Sequence, residues 1–270
     1  MIDYISNLNP VIQALLATLF TYGVTALGAG LVFFFKKVNK TVMDAMLGFA
    51  AGVMIAASFW SLLSPAIEMA LSLEMIAWLV AFIGFFSGGV LLYVSDKLFN
   101  YFDKKLSSKN TDDKANSFKR CLMLIFSITM HNIPEGLAVG VAFGSIVYGL
   151  DGATFSSACL LALGIGLQNF PEGTAVSVPL RREGMSRRKA FLFGQLSGIV
   201  EPISGVIGAL LVIKVRYLLP FLLSFAAGAM IYVVVQELIP ESQTNENKSL
   251  MALFTLIGFS IMMILDVALG

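Results

Sequence analysis

Two hexapeptides, His131-Asn132-Ile133-Pro134-Glu135-Gly136 and Gln168-Asn169-Phe170-Pro171-Glu172-Gly173, hold the residues best suited to chemistry in this chain. They are one pattern written twice, 37 positions apart (168 minus 131), and the likeness continues through Ala138/Ala175 and Val139/Val176. Both lie inside apolar stretches long enough to span a bilayer. Each sets a polar pair, a helix-breaking proline and a carboxylate where hydrocarbon is expected. A charge at that depth costs at least roughly 2.5–3.5 kcal/mol on insertion scales, so such residues point to binding or moving an ion.

The spacing says how these groups converge. His131 and Glu135 are four residues apart, hence on one helix face a turn apart. Asn132 projects about 100° round, on the adjoining flank. Pro134 lacks an amide hydrogen, so the Met130 carbonyl loses its helical partner, and Pro171 does the same for Leu167. The pattern predicts kinks that open room for an ion and expose carbonyl oxygen. Packing the second string against the first faces two carboxylates, one imidazole and three amides towards each other. Two isolated carboxylates in hydrocarbon repel, and a divalent cation between them removes the penalty.

Mixed imidazole, carboxylate and amide-oxygen ligands suit zinc, iron, manganese or cadmium better than magnesium or calcium. The absence of thiolates argues against a tight structural zinc site and for one that releases its cargo. A third carboxylate, Glu201, sits mid-span beside Pro202, and allows one divalent ion or two sharing bridging carboxylates. Against this stand plainer readings. A lone histidine such as His131 is often a hydrogen-bonded core residue, but its company favours a ligand. Asn132, Gln168 and Asn169 are either ligands or interhelical hydrogen-bonding groups. Gln236, Glu237 and Asp266, in or near the ends of the last two spans, are pathway groups or interfacial residues reaching water. Glu68 and Glu74 are expected to be solvated at the outer surface, and Asp44 and Asp96 at the inner one.

The elements that must position these groups follow from composition. Apolar residues make up 57% of the 270 and charged ones 13%, against nearer half and a quarter in a soluble domain. The chain therefore reads as all-α, a polytopic membrane protein. Eight hydrophobic segments are expected, at approximately 11–35, 41–64, 75–98, 121–148, 154–180, 190–213, 218–239 and 250–269. They are expected to form one transmembrane domain over 1–270. The first segment lacks a basic leader and a small-residue cleavage site and reads as a true span. With the N-terminus outside, sixteen of the eighteen Lys and Arg fall on the inner side, leaving Lys214 and Arg216 outside; both termini are then extracytoplasmic. Asn100 to Ser117, within an expected flexible cytoplasmic loop at about 99–118, is polar and lacks histidine. Cys121 and Cys159 have no partner pattern and read as small buried residues.

A second, fainter repeat relates Phe49-Ala50-Ala51-Gly52-Val53-Met54-Ile55 to Phe225-Ala226-Ala227-Gly228-Ala229-Met230-Ile231. Under the topology above these segments run in opposite directions, an inverted-repeat (3+2+3) plan with the site at the midplane. Packing selection for small residues gives the same likeness without a repeat.

At these residues the chain resembles the ZIP family of divalent-metal transporters, most closely its GufA-like branch. The likeness rests on the two hexapeptides, on Arg181-Arg182-Glu183-Gly184, on Glu201-Pro202 and on Glu237-Leu238-Ile239-Pro240-Glu241-Ser242. The resemblance implies an eight-helix bundle, usually a homodimer, that carries Zn²⁺ or related metals such as Cd²⁺, Fe²⁺ or Mn²⁺ into the cytoplasm by alternating access. It implies one site of His131, Glu135, Gln168 and Glu172. A neighbouring site holds Asn132, Asn169 and Glu201, with Glu135 and Glu172 bridging. Several family members place histidine or aspartate where Gln168 and Asn169 stand, so the second site here has less charge. The metal is then substrate, with no organic cofactor. The partners are the lipid bilayer of a plasma or inner cell membrane and the metal ions, and nothing points to nucleic acid. The rival readings are a metal-selective channel, which the same ligands serve, and an intramembrane metalloenzyme. The latter needs a string such as His-Glu-x-x-His, which is absent. No nucleotide-binding loop appears, which argues against direct ATP drive.

Overall fold

The computed structural model describes residues 5–34, 39–107, 113–149, 153–182 and 184–269. Lys36, Lys37 and Glu183 lie outside them, as does the Cys121 side chain. Eight long helical rods, and no strand, occur among the described residues: α1 Pro10–Phe34, α2 Lys40–Ser72, α3 Ala77–Ser107, α4 Asp113–Ser145, α5 Phe155–Arg182, α6 Arg187–Lys214, α7 Arg216–Ser242 and α8 Lys248–Leu269. Each coincides with one expected apolar segment. Six of them, α1, α2, α3, α6, α7 and α8, contain a stretch long and apolar enough to cross a membrane. The other two, α4 and α5, carry the polar hexapeptides.

Local sequence sets where the rods begin and bend. Asn39 caps α2 by accepting from the Thr41 amide at 2.8 Å, and Ser186 caps α6 by accepting from that of Lys189. Helix α5 runs unbroken through Pro171 and α4 through Pro134. Away from the rod ends, the departures from α geometry lie elsewhere: π turns at Ser58–Leu63 in α2 and Val234–Leu238 in α7, and a 3₁₀ turn at Ser197–Ile199 in α6. Each precedes a proline (Pro65, Pro240, Pro202), whose missing amide leaves the carbonyl four residues back inside the irregular turn. The expected loop is mostly helix, since α3 continues to Ser107 and α4 starts at Asp113; only 108–112 of it lies outside the described residues.

The rods pair most extensively as α1 with α5, α4 with α6, α3 with α7 and α2 with α8. Helices α1, α4, α5 and α6 also touch one another, forming one group, and the remaining four form another. The groups meet chiefly through α2 on α5 and α7 on α4. Small residues permit these contacts: a Cβ on Gly258 would lie 2.1 Å from the Phe49 carbonyl oxygen, and one on Gly88 2.0 Å from that of Phe225. These two carbonyls belong to the first residues of the fainter sequence repeat. Between the groups lies a cavity of about 720 Å³ lined by apolar side chains, among them Phe20, Met46, Leu163 and Phe254.

The structure corrects two surface assignments. Asp44 is buried, not solvated, and accepts from Asn245 Nδ2 at 2.9 Å, while Ser242 Oγ donates to its backbone carbonyl at 2.8 Å. Asp96 is half-buried and accepts from Tyr232 OH at 2.9 Å. Glu68 and Glu74 are exposed as expected. Because Asn245 is the side-chain amide serving the buried Asp44 carboxylate, Asn245→Ala is expected to destabilise the fold by about 1–3 kcal/mol in denaturant unfolding.

Candidate metal centre

Seven predicted ligands, His131, Asn132, Glu135, Gln168, Asn169, Glu172 and Glu201, are all buried, none more than 5% exposed. Helices α4 and α5 bring their hexapeptides together as the spacing requires. Gln168 Nε2 donates to Glu135 Oε1 at 2.6 Å, joining the two rods at the centre. Glu201, on α6 just after the 3₁₀ turn, accepts from Asn169 Nδ2 at 2.9 and 3.0 Å to its two oxygens. The charges of Glu172 and Glu201 both bear on Glu135, so the three acids share one neighbourhood.

What is left over is more telling than what is bonded. Asn132 Oδ1, Glu135 Oε2, Gln168 Oε1, Asn169 Oδ1 and Glu172 Oε2 are all buried and have no hydrogen-bond partner. Every one is an acceptor oxygen. Buried acceptors without donors are costly, and five in one neighbourhood ask for positive charge. Among the described residues, however, no three His, Cys, Asp or Glu side chains are grouped closely enough to hold a metal by themselves. A metal held there would need amide oxygens beside the acids, and side chains drawn inward from their present bonds.

The expected alignment of His131 with the carboxylates of α4 and α5 is modified. Its Nδ1 lies 3.4 Å from Glu237 Oε2, on the π turn of α7. The structure thus ties one predicted pathway residue to a predicted ligand. Gln236, its neighbour, is exposed. Asp266 lies apart from the centre, accepting from Ser61 Oγ at 2.7 Å on the π turn of α2.

Sequence reading missed α1 altogether. Thr21 Oγ1 donates to Glu201 Oε2, Thr25 Oγ1 stands 3.5 Å from Glu201 Oε1, and Asn169 Nδ2 also reaches the Thr21 carbonyl at 3.3 Å. The available signal was a polar stripe, Thr18, Thr21 and Thr25, spaced three and four apart along one face of an otherwise apolar helix.

Several contacts occur twice. Asn132 Nδ2 donates to the Ser197 carbonyl at 2.9 Å, as Asn169 Nδ2 does to that of Thr21. A Cβ on Gly136 would lie 2.4 Å from the Glu201 carbonyl oxygen, and one on Gly173 2.1 Å from that of Thr25. The partners on α6 and α1 are 176 positions apart in both cases (197 minus 21, 201 minus 25). That is the offset of the fainter repeat (225 minus 49) and of the two π-turn starts (234 minus 58).

A family model described as the ZIP zinc transporter matches residues 102–266. The chain is 42% identical to the zinc transporter ZIP11 of Xenopus tropicalis, over 98% of this chain and all of the relative. It is 34% identical to the zinc transporter ZIPB of Bordetella bronchiseptica, over 92% and 79% respectively. To the zinc transporter GufA of Myxococcus xanthus it is 32% identical, over 95% and 98%.

Proposed function

The chain belongs to the ZIP zinc transporter family, and from that premise we propose that it carries Zn²⁺ through the buried centre between α4, α5 and α6. The family consists of multi-pass membrane transporters of divalent metals and not of enzymes. The observation that carries the reading is the set of five donorless buried oxygens on Asn132, Glu135, Gln168, Asn169 and Glu172. Positive charge at the centre is the complement that all five acceptors lack. His131 and Glu201 complete the ligand set, and Cd²⁺, Fe²⁺ and Mn²⁺ match the same mixed donors.

The proposal extends to how the ion moves. All eight rods span the membrane, α4 and α5 included, with both termini outside; the distribution of Lys and Arg supports this orientation. Helices α1–α3 and α6–α8 form an inverted repeat around α4 and α5. The doubled contacts at a single offset of 176 support that arrangement. Alternating access then moves the α1, α4, α5 and α6 group against the other four. The apolar cavity between the groups supports such movement, because sliding there breaks few polar contacts. Ser61 and Asp266 stand on the outer approach and Glu237, beside His131, on the inner one. The working unit is a homodimer in a plasma or inner cell membrane, as the family resemblance suggests, and transport runs into the cytoplasm.

Purified protein in vesicles holding a zinc-sensitive dye tests the reading. Saturable zinc uptake, competed by Cd²⁺ more than by Mg²⁺, is expected. Uptake no faster than in protein-free vesicles overturns it.

A further inference from the structure

We propose that Thr21 and Thr25 of α1 are positioning residues of the metal centre, holding the Glu201 carboxylate towards the incoming ion and letting it go without an unpaired donor. The inference rests on the reading of Glu201 as a metal ligand. Its first support is the set of bonds at that carboxylate. Thr21 serves one oxygen, Thr25 stands at the other, and Asn169 reaches both. These three groups come from α1 and α5, so the two helices together set the direction of the carboxylate.

The second support is a choice that each hydroxyl possesses. A hydroxyl carries one hydrogen. Thr21 Oγ1 has the Thr18 carbonyl at 3.0 Å as well as Glu201, and Thr25 Oγ1 has the Thr21 carbonyl at 3.2 Å as well as Glu201. Each can therefore turn its hydrogen to the carboxylate while the centre is empty, and back to its own helix when a cation takes the carboxylate. An ammonium group in that place would repel the metal. Thr18, one turn earlier, donates to backbone carbonyls of α1, to Ala14 at 2.7 Å and Leu15 at 3.2 Å. It marks the ordinary behaviour of a threonine in an apolar helix.

The third support is the repeat. Thr25 is the residue on α1 that corresponds to Glu201 on α6, and the glycine contacts of α4 and α5 place their backbones alike. Where the two halves meet, one contributes the carboxylate and the other a neutral hydroxyl directed at it. A second acid in that position would face Glu201 with like charge.

Thr21→Val with Thr25→Val removes both hydroxyls and keeps the shape. In vesicle uptake the half-saturating zinc concentration is expected to rise, or the rate at limiting zinc to fall, by about 10–100-fold, the usual cost of losing the groups that orient ligands. Thr21→Ser with Thr25→Ser should restore near-normal uptake. In detergent, the valine variant takes donors from a buried carboxylate, so its metal-free Tm should fall modestly, and beyond that its zinc-induced rise should shrink. A valine variant with unchanged zinc dependence overturns the proposal, as does a lowered metal-free Tm with the zinc-induced rise intact. If the double variant does not fold, Thr25→Val alone is read by the same two measurements. Glu201→Gln separates the two levels. If it transports normally, the ligand reading of Glu201 fails; if it is impaired while the valine variant is normal, only the positioning role fails.

Discussion

Glu135→Gln combined with Glu172→Gln lowers zinc uptake by about 100-fold or more, to the level of protein-free vesicles, while leaving the metal-free protein no less stable than its parent. The first half follows from charge. The two carboxylates are the negative groups that the paired hexapeptides contribute, and amide oxygens in their place hold a divalent ion far more weakly. The second half follows from burial. Glu135 is fully buried, Glu172 nearly so, and each has an oxygen without a donor. An ionised carboxylate in that position is costly, and the neutral amide of similar shape is less so. Gln168 Nε2, now bonded to Glu135 Oε1, keeps an acceptor in the amide oxygen that replaces it. Thermal unfolding with and without zinc provides the check: the parent gains stability on adding metal, because a ligand bound only to the folded state raises Tm, and the variant does not. A variant that still transports zinc at the parental rate removes both residues from the centre.

The second large effect concerns shape and not charge. Gly136→Ala and Gly173→Ala each place a methyl group 2.4 and 2.1 Å respectively from a carbonyl oxygen of the neighbouring helix. Backbone cannot move aside as a side-chain tip does, so the helices must separate. Overpacking of this kind costs about 1–3 kcal/mol and occasionally more. At Gly136 the displaced carbonyl belongs to Glu201 itself, so uptake should fall further than stability. Gly23→Ala, on α1 with nothing within 4 Å of the added carbon, is the matched control and should leave uptake and Tm near the parent values. Parental uptake and Tm in both Gly136→Ala and Gly173→Ala would mean that the α4–α6 and α1–α5 contacts are looser than the structure has them.

Much of this was legible in the residues. The eight apolar runs became eight rods because burial of hydrocarbon length is a strong signal that survives errors of several residues at the ends. The paired strings meet in one buried polar cluster because four-residue spacing on a helix leaves no freedom about which face a side chain takes. Other features were not legible, for reasons that are specific. Thr21 and Thr25 are weakly polar and blend into an apolar helix, so only the position of α1 beside α6 reveals their role. Asp44 looked solvated because it stands at a helix start, yet the connection carrying Asn245 folds over it. His131 shares a face with Glu135, but its ring meets Glu237 across the helix interface, a contact no periodicity encodes. The prolines fall into two sets. Those at 134 and 171 sit in continuous helix, and the irregular turns cluster before 65, 202 and 240.

The doubled contacts carry a consequence for directionality. Asn132 has its counterpart in Asn169 and Glu135 in Glu172, so an ion bound as proposed would meet nearly the same surroundings whichever way it arrived. On the proposed carrier reading, a difference in how readily the two faces of the membrane load it would originate in couples that do not match, among them His131 with Gln168, Glu201 with Thr25, and Glu237 with Ser61. Rectification would then be set by such mismatches in an otherwise even-handed centre.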